Sequence, residues 1–307
     1  MTRGRLRLRA LLGTILLAAV CARCSGNSGT VPGGPTPVIQ LPMPVPSAPQ
    51  VFVGAGDIAM CDATGDEATA RLLDGIPGTV FALGDNAYES GRTEDYRNCY
   101  NPSWGRHAGR TRPAPGNHDY ESAGAAPYFQ YFGGNAGPPG LGYYSFDLGS
   151  WHIISLNSNI PAQLTSAQGQ WLKADLATYK NFTCTLAYWH HPLFTSGSNG
   201  DNAEMRDLWR LLYEAGADVV LTAHDHEYER FAPQDPDGRV DPARGIRQFV
   251  AGTGGGTLRP FASVHANSEA RIALSYGVLK MTLQDGGYQW EFVPVSGPSD
   301  TGFAFCH

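Results

Sequence analysis

The chain has 307 residues, 42% hydrophobic and 11% aromatic, enough for one sizeable core. Charged residues make up 16%, the formal net charge is −6, and Gly 38 and Pro 22 are high. Periodic apolar segments exclude a disordered chain, and the acidic balance excludes a surface that grips nucleic acid through Lys and Arg.

At the N-terminus, Arg3, Arg5, Arg7 and Arg9 precede an apolar run from Ala10 to Val20, and Val20-Cys21-Ala22 offers a small-residue cleavage site. This pattern predicts an export signal over 1–24, too short to span a bilayer comfortably; lipidation at Cys21 or Cys24 is the weaker reading. Removing it would leave 17 of the 22 Lys+Arg against 28 Asp+Glu, a net charge of about −11. The mature protein is then expected to be secreted or extracytoplasmic, at the cell surface or in a periplasm. A phosphate-bearing substrate would need positive charge from another source, and bound metal cations are the obvious one. Residues 25–50 are proline-rich without periodicity and predict an extended spacer, leaving 51–307 as one catalytic domain.

Four cysteines remain in that domain. In an exported chain an even count predicts disulfides, with three connectivities open. Cys61–Cys99 and Cys184–Cys306 are the expected pairs, each tying a loop or the C-terminus near the expected site.

From Val51 onward short apolar runs alternate with helical patterns. Val51-Phe52-Val53 leads into Gly56-Asp57. Thr64–Asp74 reads as a helix with Thr64 and Glu67 at capping-box spacing and Gly75 as its stop. Thr79–Leu83 runs into Gly84-Asp85. Trp151–Leu156 is a strand followed by a helix from about Thr165 to Tyr179. Thr183–Trp189 runs into His190. Met205, Leu208, Trp209 and Leu212 form one apolar helix face. Asp218–Thr222 runs into His224, and Tyr276–Leu283 with Tyr288–Val293 reads as a hairpin.

Four apolar strands thus end in Asp57, Asp85, His190 and His224, the position where ligands collect in α/β architectures. Gly84-Asp85-Asn86-Ala87-Tyr88 puts a carboxylate and a phenol within reach of one cation. In Gly116-Asn117-His118-Asp119, Asn117 offers a neutral oxygen to a metal, and His118 points from the same loop toward whatever the metal holds. Asp119 is the carboxylate expected to fix the His118 tautomer. His190-His191-Pro192 and His224-Asp225-His226 add imidazoles, and His224 and His226, two apart in extended chain, face one side. Each piece alone has an ordinary explanation as a turn, a cap or a packed ring. Jointly the oxygen and nitrogen donors suit two borderline-to-hard cations sharing one carboxylate, the arrangement used for in-line displacement at phosphorus. The run Ala251–Gly256 is expected as a close-approach loop beside the site; it lacks the lysine of a P-loop.

These segments (GD at 56–57, GDNAY at 84–88, GNHD at 116–119, HHP at 190–192 and AHDH at 223–226) resemble the five ordered motifs of the calcineurin-like metallophosphoesterases. The tyrosine of GDNAY is similar to that of the purple acid phosphatase branch. The resemblance implies an α/β fold, a four-layer α/β/β/α sandwich of two mixed sheets flanked by helices. It implies Fe(III) held by Asp57, Tyr88 and His226, a second site of Asn117, His190 and His224 taking Fe, Zn or Mn, and Asp85 bridging the two. His191 would then face the substrate or stand behind the ligands. Where family members often carry a histidine before glycine, beyond the metal histidine, this chain has Asn199-Gly200. That amide can bind phosphate but cannot act as an acid.

The expected activity is hydrolysis of phosphate monoesters by in-line attack of a metal-held hydroxide. His118, oriented by Asp119, would stabilise the transferring group or protonate the leaving oxygen. The expected partner is a small phosphate ester, with no nucleic acid and no stable membrane span after cleavage. A phosphodiesterase is the alternative within enzymes, and a non-catalytic surface module the alternative outside them.

Overall fold

The computed structural model describes residues 48–307. The expected export signal and nearly all of the proline-rich spacer lie outside the described residues. The first strand already begins at Gln50, the last residue of the stretch read as spacer.

The chain runs β1 (Gln50–Ala55), α1 (Gly65–Gly75), β2 (Thr79–Leu83), the single turn α2 (Thr93–Asp95), β3 (Thr111–Ala114), α3 (Asn117–Glu121), α4 (Ala126–Phe132), β4 (Tyr144–Leu148) and β5 (Trp151–Ser155). It continues through α5 (Ala167–Thr178), β6 (Cys184–Tyr188), α6 (Arg206–Glu214), β7 (Val219–Thr222), β8 (Tyr228–Phe231), β9 (Arg247–Ala251), β10 (Ser268–Ile272), β11 (Gly277–Gln284), β12 (Gly287–Pro294) and β13 (Thr301–Phe305). Two mixed sheets form, ordered β13-β12-β11-β1-β2-β3 and β10-β8-β9-β7-β6-β5-β4.

Alternation along the central strands explains the layering. Phe52, Phe81, Leu83, Ile153, Leu186, Val219 and Leu221 point into one core between the sheets. Their neighbours Val53, Val80 and Ala82 turn to the opposite face of the first sheet, where Ala70 and Leu73 of α1 cover them. On the second sheet Ile154, Ala187 and Val220 meet Leu172 of α5 and Leu208, Trp209 and Leu212 of α6. Strands apolar on both faces must be covered on both faces, so the α/β/β/α order follows.

Ser166 caps α5, its Oγ accepting from Gly169 N at 3.0 Å. Thr64 precedes α1 without a side-chain capping bond, contrary to the capping-box expectation. Glu67 instead pairs outward with Arg71 and Arg106.

Parallel pairing places the site. β1, β2 and β3 run parallel in one sheet, and β5, β6, β7 and β9 in the other. Gly56 N donates to Ala251 O at 2.9 Å, joining the carboxyl ends of β1 and β9 across the sandwich. All these strand ends therefore open on one edge of the sandwich.

The disulfides are Cys61–Cys99, Cα atoms 4.7 Å apart, and Cys184–Cys306, 5.5 Å apart. The first lies in the loops beside the strand ends. The second does not: Cys184 is the first residue of β6, so the bond holds the C-terminus at the far end of the sandwich. Among the described residues no helix is long and apolar enough to cross a membrane.

A buried ion cluster ties the β4–β5 hairpin to α5. His152 is 1% exposed, with Nε2 at 2.7 Å from Asp175 and Nδ1 at 3.0 Å from Asp147, and stacks on Tyr179. Burial alone would lower this imidazole, but the hydrogen bonds to Asp175 and Asp147 outweigh it and raise its pKa. The proton therefore stabilises the fold fully below the unfolded pKa near 6.5, and this contribution fades as pH rises through the higher folded value. His152→Gln is expected to lose about 2–3 kcal/mol in denaturant unfolding at pH 6, the scale of a lost hydrogen bond to a charged group, with the gap to wild type narrowing toward pH 9. A gap that widens with pH would contradict this.

Candidate metal centre

Three ligand candidates sit at strained backbone positions. Among the described residues five non-glycine positions have positive φ, and Asp57 (56°), Asp85 (48°) and His224 (69°) are three of them. The left-handed turn at each strand end swings the side chain into the cleft, a conformation that persists where surrounding structure enforces it. Gly116 is required there: a Cβ on it would lie 2.1 Å from Asp85 Oδ1.

The donors fall into two groups. In one, Tyr88 Oη donates to Asp57 Oδ1 at 2.9 Å, and His226 Nε2 lies 3.2 Å from both that oxygen and the phenol. In the other, His190 Nε2 lies 3.1 Å from Asn117 Oδ1 and 3.1 Å from His224 Nδ1. Asp85 touches both, its Oδ2 standing 3.3 Å from Tyr88 Oη and 3.2 Å from His190 Nε2. Asp57, Asp85 and His190, and separately His190, His191 and His224, are clustered closely enough to hold an ion.

Ring orientation fits metal ligation. His190 Nδ1 lies 2.7 Å from Leu83 O, and His226 Nδ1 2.7 Å from Thr257 O. A carbonyl can only accept, so both rings donate from Nδ1 and turn Nε2 inward, the usual support for a histidine that binds a metal. The field favours positive charge as well. Burial resists ionisation of Asp57, but His226 and the other imidazoles outweigh it and hold the carboxyl well below its ordinary range. Burial would lower His190, yet Asp85 raises it to about 9. Burial and the neighbouring His190 keep His224 near 4, so its neutral ring has one nitrogen lone pair free for a metal. Burial, then Asp57 and Asp85, pushes the Tyr88 phenol well up, and a cation beside it would reverse that balance. The residues fit a pair of hard or borderline cations.

His118 stands beside this set. Its ring packs on Tyr88 with centroids 4.6 Å apart, and Nε2 lies 3.9 Å from Asp85 Oδ2. The expectation that Asp119 orients it fails. Asp119 is fully buried and accepts from Tyr96 Oη at 2.6 Å, Gly116 N at 2.8 Å and Asn86 Nδ2 at 2.9 Å. It knits the Asp85 and Asn117 loops together, while His118 Nδ1 donates to the Glu89 carbonyl at 2.5 Å.

His191 stands beside the second donor group: Ser158 Oγ is 2.8 Å from its Nδ1, its ring is 4.4 Å from that of His224, and burial with the His190 charge holds it near 2. Asn199 reaches the rim, but its amide turns inward, Nδ2 donating to His224 O at 2.7 Å and Oδ1 accepting from Arg259 at 3.2 Å. Direct substrate binding by Asn199, expected from its position, does not match that geometry. The glycine run is a close-approach loop: Gly254 N and Gly256 N donate to Gly56 O and Asp57 O at 2.9 and 2.7 Å, so those amides are not free for phosphate.

The family model described as Calcineurin-like phosphoesterase matches residues 51–228, more than half of the chain. The chain belongs to the calcineurin-like phosphoesterase family. It is 27% identical over 296 residues to purple acid phosphatase 15 of Arabidopsis thaliana, covering 82% of this chain and 54% of that protein. It thus spans about half the length of this curated relative. Its fold is shared by purple acid phosphatase PPD1 of yellow lupin (Lupinus luteus), with a TM-score of 0.68 at 18% identity over 83% of this chain and 54% of that one. GAP50 of Plasmodium also shares it, with a TM-score of 0.65 at 16% identity over 84% and 89% of the two chains.

Several residues of this calcineurin-like phosphoesterase site escape its motifs. Ser158 follows β5 just as His190 follows β6, so the strand-end rule could have found it. The carbonyls of Leu83, Glu89 and Thr257, and Arg259, act from positions whose side-chain types carry no signal.

Proposed function

We propose that this chain is an exported dinuclear-metal phosphatase that hydrolyses phosphate monoesters. Fe(III) would be held by Asp57, Tyr88 and His226, and Fe, Zn or Mn by Asn117, His190 and His224, with Asp85 shared. The observation that carries this reading is the placement of Asp85 Oδ2 against Tyr88 on one side and His190 on the other. The two disulfides support export to an oxidising compartment.

When bound, the cations would supply a nucleophilic water acidic enough to react near neutral pH and would offset charge on the phosphoryl oxygens. The remaining work falls to the chain. The Leu83 and Thr257 carbonyls keep the His190 and His226 rings aimed inward. The Glu89 carbonyl accepts a hydrogen bond from Nδ1–H of His118 and so turns Nε2 to the site side, where the imidazolium form would donate Nε2–H to the phosphoryl group or pass that proton to the leaving oxygen.

One neighbour favours a second reading. GAP50 is described as the anchor in the inner membrane complex of Plasmodium, and a fold does not by itself carry catalysis. The complete donor set supports the enzyme reading. Parallel assays of metal-reconstituted protein on p-nitrophenyl phosphate and its bis ester separate the cases. Faster monoester turnover is expected; faster diester turnover would make it a phosphodiesterase, and silence on both would favour an anchor.

Tyr88 supplies a further expectation. Oxidised, iron-loaded protein should absorb in the visible through phenolate-to-Fe(III) charge transfer, and Tyr88→Phe should abolish the band. A band that survives in the variant would remove Tyr88 from the iron site.

A further inference from the structure

Among the described residues many arginines are held by carboxylates: Arg92 pairs with Asp95, Arg106 with Asp74, Arg230 with Asp300 and Arg239 with Asp237. Arg259 instead meets a neutral acceptor beside the ligand-bearing loops, its Nη1 donating to the Asn199 amide oxygen at 3.2 Å. The side chain is exposed, and four of its five N–H donors are left for another partner.

The pair is anchored to the ligand-bearing loop from both sides. Arg259 N donates to His226 O at 3.2 Å, and Asn199 Nδ2 donates to His224 O at 2.7 Å. Asn199 N in turn donates to the buried Asp225 at 2.9 Å. The guanidinium stands near enough for its charge to act on the His226 imidazole and the Glu227 carboxyl. A planar cation with most of its donors open, at the rim of a candidate phosphoryl site, suits bidentate contact with an anionic oxygen pair.

We propose that Arg259, held in place by Asn199, grips the phosphoryl group of the substrate and selects dianionic monoesters over monoanionic diesters. This rests on the phosphatase reading above. A guanidinium keeps its charge at every working pH, so this contact does not depend on a titrating rim group.

The test uses metal-reconstituted protein with p-nitrophenyl phosphate, its bis ester and inorganic phosphate as inhibitor. Arg259→Gln is expected to raise the monoester KM and the phosphate inhibition constant about tenfold, the effect of one lost charge-assisted hydrogen bond. The rise in KM should exceed any fall in kcat, the monoester-to-diester preference should drop, and Arg259→Lys should recover part of each. Arg239→Gln, the same charge change at a remote site, should leave all of them unchanged. Monoester KM and phosphate inhibition in Arg259→Gln equal to wild type would overturn the proposal. If the wild type hydrolyses neither ester, the phosphatase reading fails, and calorimetry with inorganic phosphate decides separately: weaker binding by Arg259→Gln supports the grip, equal binding rejects it.

Discussion

Asp85→Asn is expected to lower turnover about a thousandfold and to deplete both metal sites together. Asp85 is buried, with Oδ2 between the Tyr88 and His190 groups and Oδ1 accepting from His118 N at 2.8 Å. Asparagine keeps the shape and the acceptor for that N–H, so the loop stays in place. What is lost is the charge that two cations would share, and an amide –NH2 is turned toward the cleft. A loss of about 4 kcal/mol of charge stabilisation, the scale of one metal's contribution, corresponds to about a thousandfold in rate. Metal content by plasma mass spectrometry and turnover on p-nitrophenyl phosphate should fall in parallel, with an unchanged circular dichroism spectrum. Loss of only one metal would mean that Asp85 serves a single site.

His118→Asn should separate catalysis from ligation. His118 holds no short contact with the other imidazoles; its Nε2 lies 3.9 Å from Asp85, and its Nδ1 is occupied by the Glu89 carbonyl. Removing a group that bonds the phosphoryl oxygens or moves a proton lowers kcat by about 10²–10⁴-fold, while metal content should stay at the wild-type level. Equal loss of metal and rate would place His118 among the ligands. Asp119→Asn gives the contrast, because its carboxylate accepts three hydrogen bonds at 2.6–2.9 Å and none comes from the His118 ring. That variant should unfold about 1–3 kcal/mol more easily, through loosening of two loops rather than through a changed proton donor.

The contrast between His118 and Asp119 shows where sequence stops speaking. β1, β2, β6 and β7 were legible because each is an apolar run, buried on both faces, that stops at a glycine or directly at a polar residue. β3 was not, since Arg112 and Pro113 interrupt its short run, and β4 and β13 carry the mixed polarity of edge strands. Residue types announced Asp57, Asp85, Tyr88, Asn117, His190, His224 and His226 as donors, and the fold brings those seven side chains to one cleft. Direction within a turn was not announced: Asp119 follows His118 immediately, yet its carboxylate points into the protein while the imidazole points out. Long-range partners were equally silent. Asn199 looked like a substrate contact until Arg259, sixty positions on, occupied its oxygen. For the disulfides the pairing agreed with expectation, but Cys184–Cys306 holds the end away from the site, because Cys184 opens a strand whose other end carries His190.

The proposed hydrolysis depends on two cations shared through Asp85, and the most direct measurement is the number of metal ions per chain in protein that is turning over p-nitrophenyl phosphate. Two per chain are expected, with activity rising in step with occupancy of the second site. Full turnover by protein holding one ion or none would contradict it.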